Sequence, residues 1–94
     1  MIERVRLIVT GRVHGVGYRA SCAREAGRIG VAGTVRNRPD SAVEVLAMGT
    51  PEQIGALVAW CHVGPPFGKV SGVEVSVVDE SETVGFGSVF RVVR

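Results

Sequence analysis

Residues 11–19 read Gly-Arg-Val-His-Gly-Val-Gly-Tyr-Arg. They stand between an alternating apolar run and a run with helical spacing, so they form a strand-to-helix turn. Gly11, Gly15 and Gly17 let the backbone bend sharply and point several N–H groups at one spot. The helix that follows adds its own unpaired N–H groups and the positive end of its dipole. Arg19 stands where the turn becomes helix. Together these features make a cradle for an anion the size of phosphate. No Gly-Lys-Ser/Thr follows, so the turn is not a P-loop. The glycine spacing and the short chain do not suit a dinucleotide fingerprint either.

Upstream of the turn, Val5, Leu7 and Val9 alternate with Arg4, Arg6 and Ile8, which predicts a strand over residues 3–10. Downstream, Cys22, Ala23, Ala26 and Ile29 fall at helical spacing within residues 19–29, with Gly27 or Gly30 marking the end. Residues 31–36 read as a second strand, and residues 37–41, Asn-Arg-Pro-Asp-Ser, as a turn by composition. Val43, Val45 and Ala47 continue as a third strand, making a hairpin with the second. Thr50 caps the next helix, Pro51 takes its first position, and Ile54, Leu57, Val58 and Cys61 share one face. Trp60 borders that face, and residues 64–66, Gly-Pro-Pro, stop the helix. Val70, Val73, Val75 and Val77 suggest a fourth strand, residues 79–83 a polar loop, and Val89, Phe90 and Val92 a short terminal strand.

The resulting order is β-α-β-β-α-β, with the short terminal stretch as a possible extra strand. That is the ferredoxin-like split βαβ plan, an α+β sandwich with an antiparallel sheet and both helices on one face. Strands one and three are central in this plan. Topology alone therefore does not bring Asn37, at the end of strand two, to the cradle after strand one. Nor does the fold specify an activity, since this plan carries many.

The 94 residues suggest a single domain over 1–94. A 46% apolar fraction argues against disorder. No apolar run approaches the roughly 18 residues needed to span a bilayer. The first four residues, Met-Ile-Glu-Arg, lead into a charged strand pattern rather than a signal peptide, so a cytoplasmic protein is expected. A net charge of +2 is too small to imply nucleic acid, and slightly favours a small anion. Cys22 and Cys61 are too far apart in sequence for a zinc or redox motif and read as small core residues. Each falls in a predicted helix, so a disulfide is conceivable if those helices pack side by side.

The stretch at 11–19 resembles the acylphosphatase signature, usually Gly-x-Val-Gln-Gly-Val-x-Phe-Arg. Residues 33–44, with Gly33, Val35, Asn37, Asp40, Val43 and Glu44, resemble the second signature, Gly-x-Val-x-Asn-x-x-Asp-Gly-x-Val-Glu. Trp60 ahead of residues 64–66 extends the resemblance over essentially the whole chain. It implies hydrolysis of carboxyl-phosphate mixed anhydrides to a carboxylate and inorganic phosphate, with no metal, no cofactor and no phosphoenzyme. It also implies that Arg19 binds the phosphoryl group and Asn37 orients the attacking water. The turn of Val13, His14, Gly15, Val16, Gly17 and Tyr18 would donate backbone hydrogen bonds to the phosphate oxygens. Those roles suit the chemistry, because a good leaving group leaves charge stabilisation and placement of water as the main tasks. Acyl phosphate and inorganic phosphate are the expected partners; a monomer is expected, with no nucleic acid and no membrane.

The chain departs from the pattern in three places. His14 replaces glutamine; both can donate a hydrogen bond, and a catalytic imidazole is the sharper alternative. Tyr18 replaces phenylalanine and suits the packing of the turn. Ser41 replaces the turn glycine, which strains the hairpin if that position needs positive φ. His62 reads as a surface residue near a helix end. Two rival readings are weaker. An RNA-binding sheet needs exposed aromatics on its central strands, and strands one and three have none. A carbamoyl-phosphate domain of a maturation protein would sit in a much longer chain with metal-binding fingers.

Overall fold

The computed structural model describes residues 1–93. Strand β1 (Glu3–Arg12) leads into helix α1 (Tyr18–Ile29), then β2 (Ala32–Asn37), β3 (Val43–Gly49), helix α2 (Pro51–Val63), β4 (Lys69–Val77), a 3₁₀ turn (Glu80–Thr83) and β5 (Phe90–Val93). The sheet order is β4-β1-β3-β2-β5, so β1 and β3 lie inside it as the split βαβ plan requires.

One expectation needs correction. The sheet is not wholly antiparallel: β5 runs parallel to β2, while the other pairings are antiparallel. The reason lies in where β4 stops. Its last residue, Val77, stands opposite Val5 near the start of β1, and Val78 N–H donates to the Arg4 carbonyl. Strand β2 also begins at this end, because Met48 faces both Arg4 and Ala32. A chain that crosses the sheet here and returns along the far edge must run in the direction of β2. The predicted polar loop contains the 3₁₀ turn on this crossing.

Alternation in β1 sorts its side chains as read. Val5, Leu7 and Val9 are buried with Val35, Val43, Val45 and Ala47 from the neighbouring strands, and with Tyr18, Cys22, Ala26, Ile54, Leu57 and Cys61 from the helices. Both helices therefore cover one face. On the other face Glu44 accepts from Arg6 at 3.2 Å and Arg36 at 2.8 Å, and Arg6 also reaches Glu82 at 2.6 Å. Cys22 and Cys61 are free buried thiols within hydrogen-bond reach of each other. That contact and burial push the Cys22 thiol well above its ordinary pKa, so it stays protonated.

Helix α2 begins as its sequence predicts. Thr50 Oγ1 accepts from Gln53 N–H at 3.2 Å, and Gln53 Oε1 accepts from Thr50 N–H at 2.9 Å, a reciprocal capping box with Pro51 behind it. The hairpin between β2 and β3 turns through Pro39 and Asp40. Ser41 N–H donates to Arg38 O at 3.2 Å, and Arg38 N–H donates to Ala42 O at 2.8 Å. A three-residue loop of this kind ends in a left-handed residue, usually glycine, and here Ser41 takes that position with φ 74°. A side chain there costs about 1–2 kcal/mol of backbone strain. Glycine gives back part of that gain through the entropy of the unfolded chain. Ser41→Gly is expected to stabilise the fold by about 0.5–1 kcal/mol, read as a higher urea midpoint; an unchanged or lower midpoint contradicts the strain argument.

Candidate active site

Strands β1, β2 and β5 all end at one end of the sheet, opposite the crossing. Residues 13–17 leave β1 there, and α1 starts there. Gly15 and Gly17 have φ of 71° and 78°, the left-handed region that side chains resist. A Cβ on either would meet nothing within 4 Å, so backbone conformation rather than space calls for glycine. Gly17 is the N-cap of α1; it has no side chain to cap the helix, and no acidic residue lies in the first turn. The dipole end is left open to an anion.

Tyr18 anchors the start of the helix. Its ring is buried against Trp60, with centroids 5.3 Å apart, and its hydroxyl donates to Cys61 O at 2.9 Å. Burial pushes its pKa well up, so it remains a neutral phenol. Helix α1 begins at Tyr18, one residue earlier than its periodicity suggests, and this sets Arg19 in the first turn. The ion pairs among the described residues engage Arg4, Arg6, Arg28, Arg36 and Arg38, and Arg19 takes part in none of them. A half-buried cation at the positive end of a helix is disfavoured unless an anion joins it.

Asn37 belongs to the last turn-facing position of β2 rather than to the turn itself. It lies on the wall of the same cleft as Arg19. This cleft, about 360 Å³, is lined by Val13, Gly15, Gly17, Tyr18, Arg19, Ala20, Asn37 and Val92. Asn37 Oδ1 is buried and is the side-chain acceptor that lacks a partner among the described residues. Buried polar groups are otherwise almost always paired, and the side chain that carries this one lines the cleft. A larger groove of about 540 Å³ lies at the opposite end of the sheet, between Ile2, Ile54 and Val77, and holds no such orphan.

Of the loop residues singled out in the sequence, Val13, Gly15, Gly17, Tyr18 and Arg19 line the cleft, whereas His14 and Val16 do not. Val16 packs against the core, and the His14 ring bonds to Ala42 O at 2.9 Å. Ala20 and Val92 line the cleft without having been anticipated. Ala20 follows Arg19 and was legible only once α1 had its true start. Val92 depends on the parallel seating of β5 beside β2, which no local pattern announces. Asp40 accepts from Ala42 N–H and lies beside Arg38, and both hold its carboxyl below the usual range. Among the described residues no three His, Cys, Asp or Glu side chains are grouped to hold a metal, and no helix is long and apolar enough to cross a membrane.

A family model described as Acylphosphatase matches residues 5–90. An acylphosphatase of Anaeromyxobacter dehalogenans is 51% identical over 82 residues, covering 87% of this chain and 88% of that protein. One from Methylococcus capsulatus is 46% identical over 93 residues, covering 99% and 98%. The crystal structure of acylphosphatase from Bacillus subtilis matches with a TM-score of 0.87 at 37% identity and covers 100% of both chains. Fold and family match thus define a ferredoxin-like α+β enzyme domain. The chain belongs to the acylphosphatase family, and the enzyme class read from its two signatures is borne out.

Proposed function

We propose that the cleft hydrolyses acyl phosphates without a metal, using Arg19 to hold the phosphoryl group and Asn37 to place the attacking water. The observation that carries this reading is one cleft lined by both Arg19, which is in no ion pair among the described residues, and Asn37, whose Oδ1 has no protein partner among them. The fork of Arg19 suits two phosphoryl oxygens at once. Backbone N–H groups of Val13, His14, Gly15, Val16, Gly17 and Tyr18 supply further donors around the same anion.

The reaction asks little else of the protein. Water oxygen forms a bond to phosphorus, and the bond to the acyl oxygen breaks with its electron pair passing to the carboxylate. The proton of the water ends on phosphate. The carboxylate is a good leaving group and needs no proton from the enzyme. In a loose transition state the charge spreads over the phosphoryl oxygens, where fixed donors stabilise it most. Asn37 is a poor base, but its amide can accept from water and donate to it, and alignment rather than deprotonation is what the step requires. The protein acts as a monomer in the cytoplasm in this reading.

The test is hydrolysis of benzoyl phosphate with and without a chelator. Rapid hydrolysis that is equal in both is the expected result. Activity lost to the chelator and restored by a divalent cation overturns the metal-free mechanism. No hydrolysis by folded protein overturns the assignment.

A further inference from the structure

Arg19 and Asn37 lie on elements that are not neighbours in the sheet. Arg19 stands in the first turn of α1, after the loop that leaves β1, Asn37 ends β2, and β3 lies between the two strands. Something must set the distance from the phosphate cradle to the water-placing amide. Strand pairing fixes the strands, but it does not reach residues 13–17, which lie beyond the end of β1.

We propose that His14 is a positioning residue that clamps the phosphate loop to the hairpin carrying Asn37. The inference rests on the acyl phosphate reading of the cleft. The His14 ring meets Ala42 O at 2.9 Å through Nε2, across 28 residues of chain. A carbonyl oxygen only accepts, so Nε2 carries the hydrogen and donates. The same oxygen accepts Arg38 N–H at 2.8 Å, and Arg38 directly follows Asn37. Both lone pairs of one buried carbonyl are thus used, one for the cradle and one for the residue beside the amide. The turn that presents this carbonyl is held in place. Asp40 Oδ1 accepts from Ala42 N–H at 3.2 Å, Arg38 pairs with Asp40 at 3.0 Å, and Ser41 takes its left-handed conformation between them. The His14 ring bonds to the hairpin instead of lining the cleft, so the side chain acts on the reaction through Asn37 and not by touching substrate.

The clamp is tested by His14→Ala, His14→Gln and the double variant His14→Ala/Asn37→Ala. Misplacement by an ångström or less predicts a kcat on benzoyl phosphate lowered about tenfold to a hundredfold in His14→Ala. Inhibition by inorganic phosphate should change by no more than about twofold, because Arg19 and the loop amides still hold the anion. Glutamine has an N–H that reaches the same carbonyl, so His14→Gln should restore most of kcat. In the Asn37→Ala background the loss of His14 should add nothing, since residues that act as a unit are not additive. Amide exchange of Arg38 should quicken in His14→Ala while that of Val45 in the core does not. A wild-type kcat in His14→Ala, an additive effect in the double variant, or unchanged exchange at Arg38 each overturns the clamp. A wild-type protein without turnover overturns the acyl phosphate reading instead, and the exchange comparison still decides the clamp.

Discussion

Replacing Arg19 with alanine is expected to lower kcat/KM for benzoyl phosphate by about 10³-fold, the upper range for loss of one preorganised donor to a developing anion. The loss should be this large because in the proposed role the guanidinium supplies both charge and two directed hydrogen bonds, and the backbone amides that remain carry only partial charge. The fold should be unharmed. Arg19 is in no ion pair among the described residues, and it stands in the first turn of α1, where a cation opposes the dipole. Removing it therefore relieves a small repulsion, and the melting temperature should equal or slightly exceed that of the wild type. Steady-state kinetics beside a thermal melt decide the matter. Activity within a few-fold of wild type would sink the assigned role, and a large fall in melting temperature would show that Arg19 holds the fold.

Asn37→Ala is expected to lower kcat about a hundredfold while the inhibition constant of inorganic phosphate changes little, a placement error rather than a binding error. Stability gives this prediction a second arm. Asn37 Oδ1 has no protein partner among the described residues, so its removal breaks no hydrogen bond within the fold. Alanine removes a half-buried side chain at a strand end, so the urea midpoint should stay close to that of the wild type. A residue whose removal spares the fold and stops the chemistry is kept for the chemistry. Phosphate inhibition weakened in step with kcat would recast Asn37 as a phosphate binder. A lowered midpoint would mean that the amide has a structural partner after all.

Much of this molecule can be read along the chain because the deciding interactions are local. The alternation of Val5, Leu7 and Val9 sorts side chains to two faces whatever else the strand meets. Thr50, Pro51 and Gln53 satisfy their own helix end within four residues. Gly15 and Gly17 mark left-handed backbone where it occurs, and Pro39 and Asp40 make the hairpin turn. Ser41 was legible as strain for the same reason: its φ is set by the five residues of its own turn.

The errors fall where the cause is distant. The parallel seating of β5 follows from where β4 ends and from the crossing at that end, neither of which leaves a mark in the pattern of residues 89–93. Asn37 reads by composition as part of a turn, and only pairing with Val43 makes it the last residue of a strand. The roles of Arg19 and Asn37 came from two signatures and not from any argument about space. The expected strand order alone did not bring them together, since β3 lies between β1 and β2. The fold joins them because β1, β2 and β5 all end on one side, and because α1, rooted at Tyr18, leads from the end of β1 over the core toward β2. The chain thus specifies the elements, the turns and a glycine-bent loop ahead of α1, through contacts of a few residues. That the loop and Asn37 line one cleft, with His14 bound to the hairpin beside it, follows from pairings between residues tens of positions apart, whose geometry exists only once the sheet has closed.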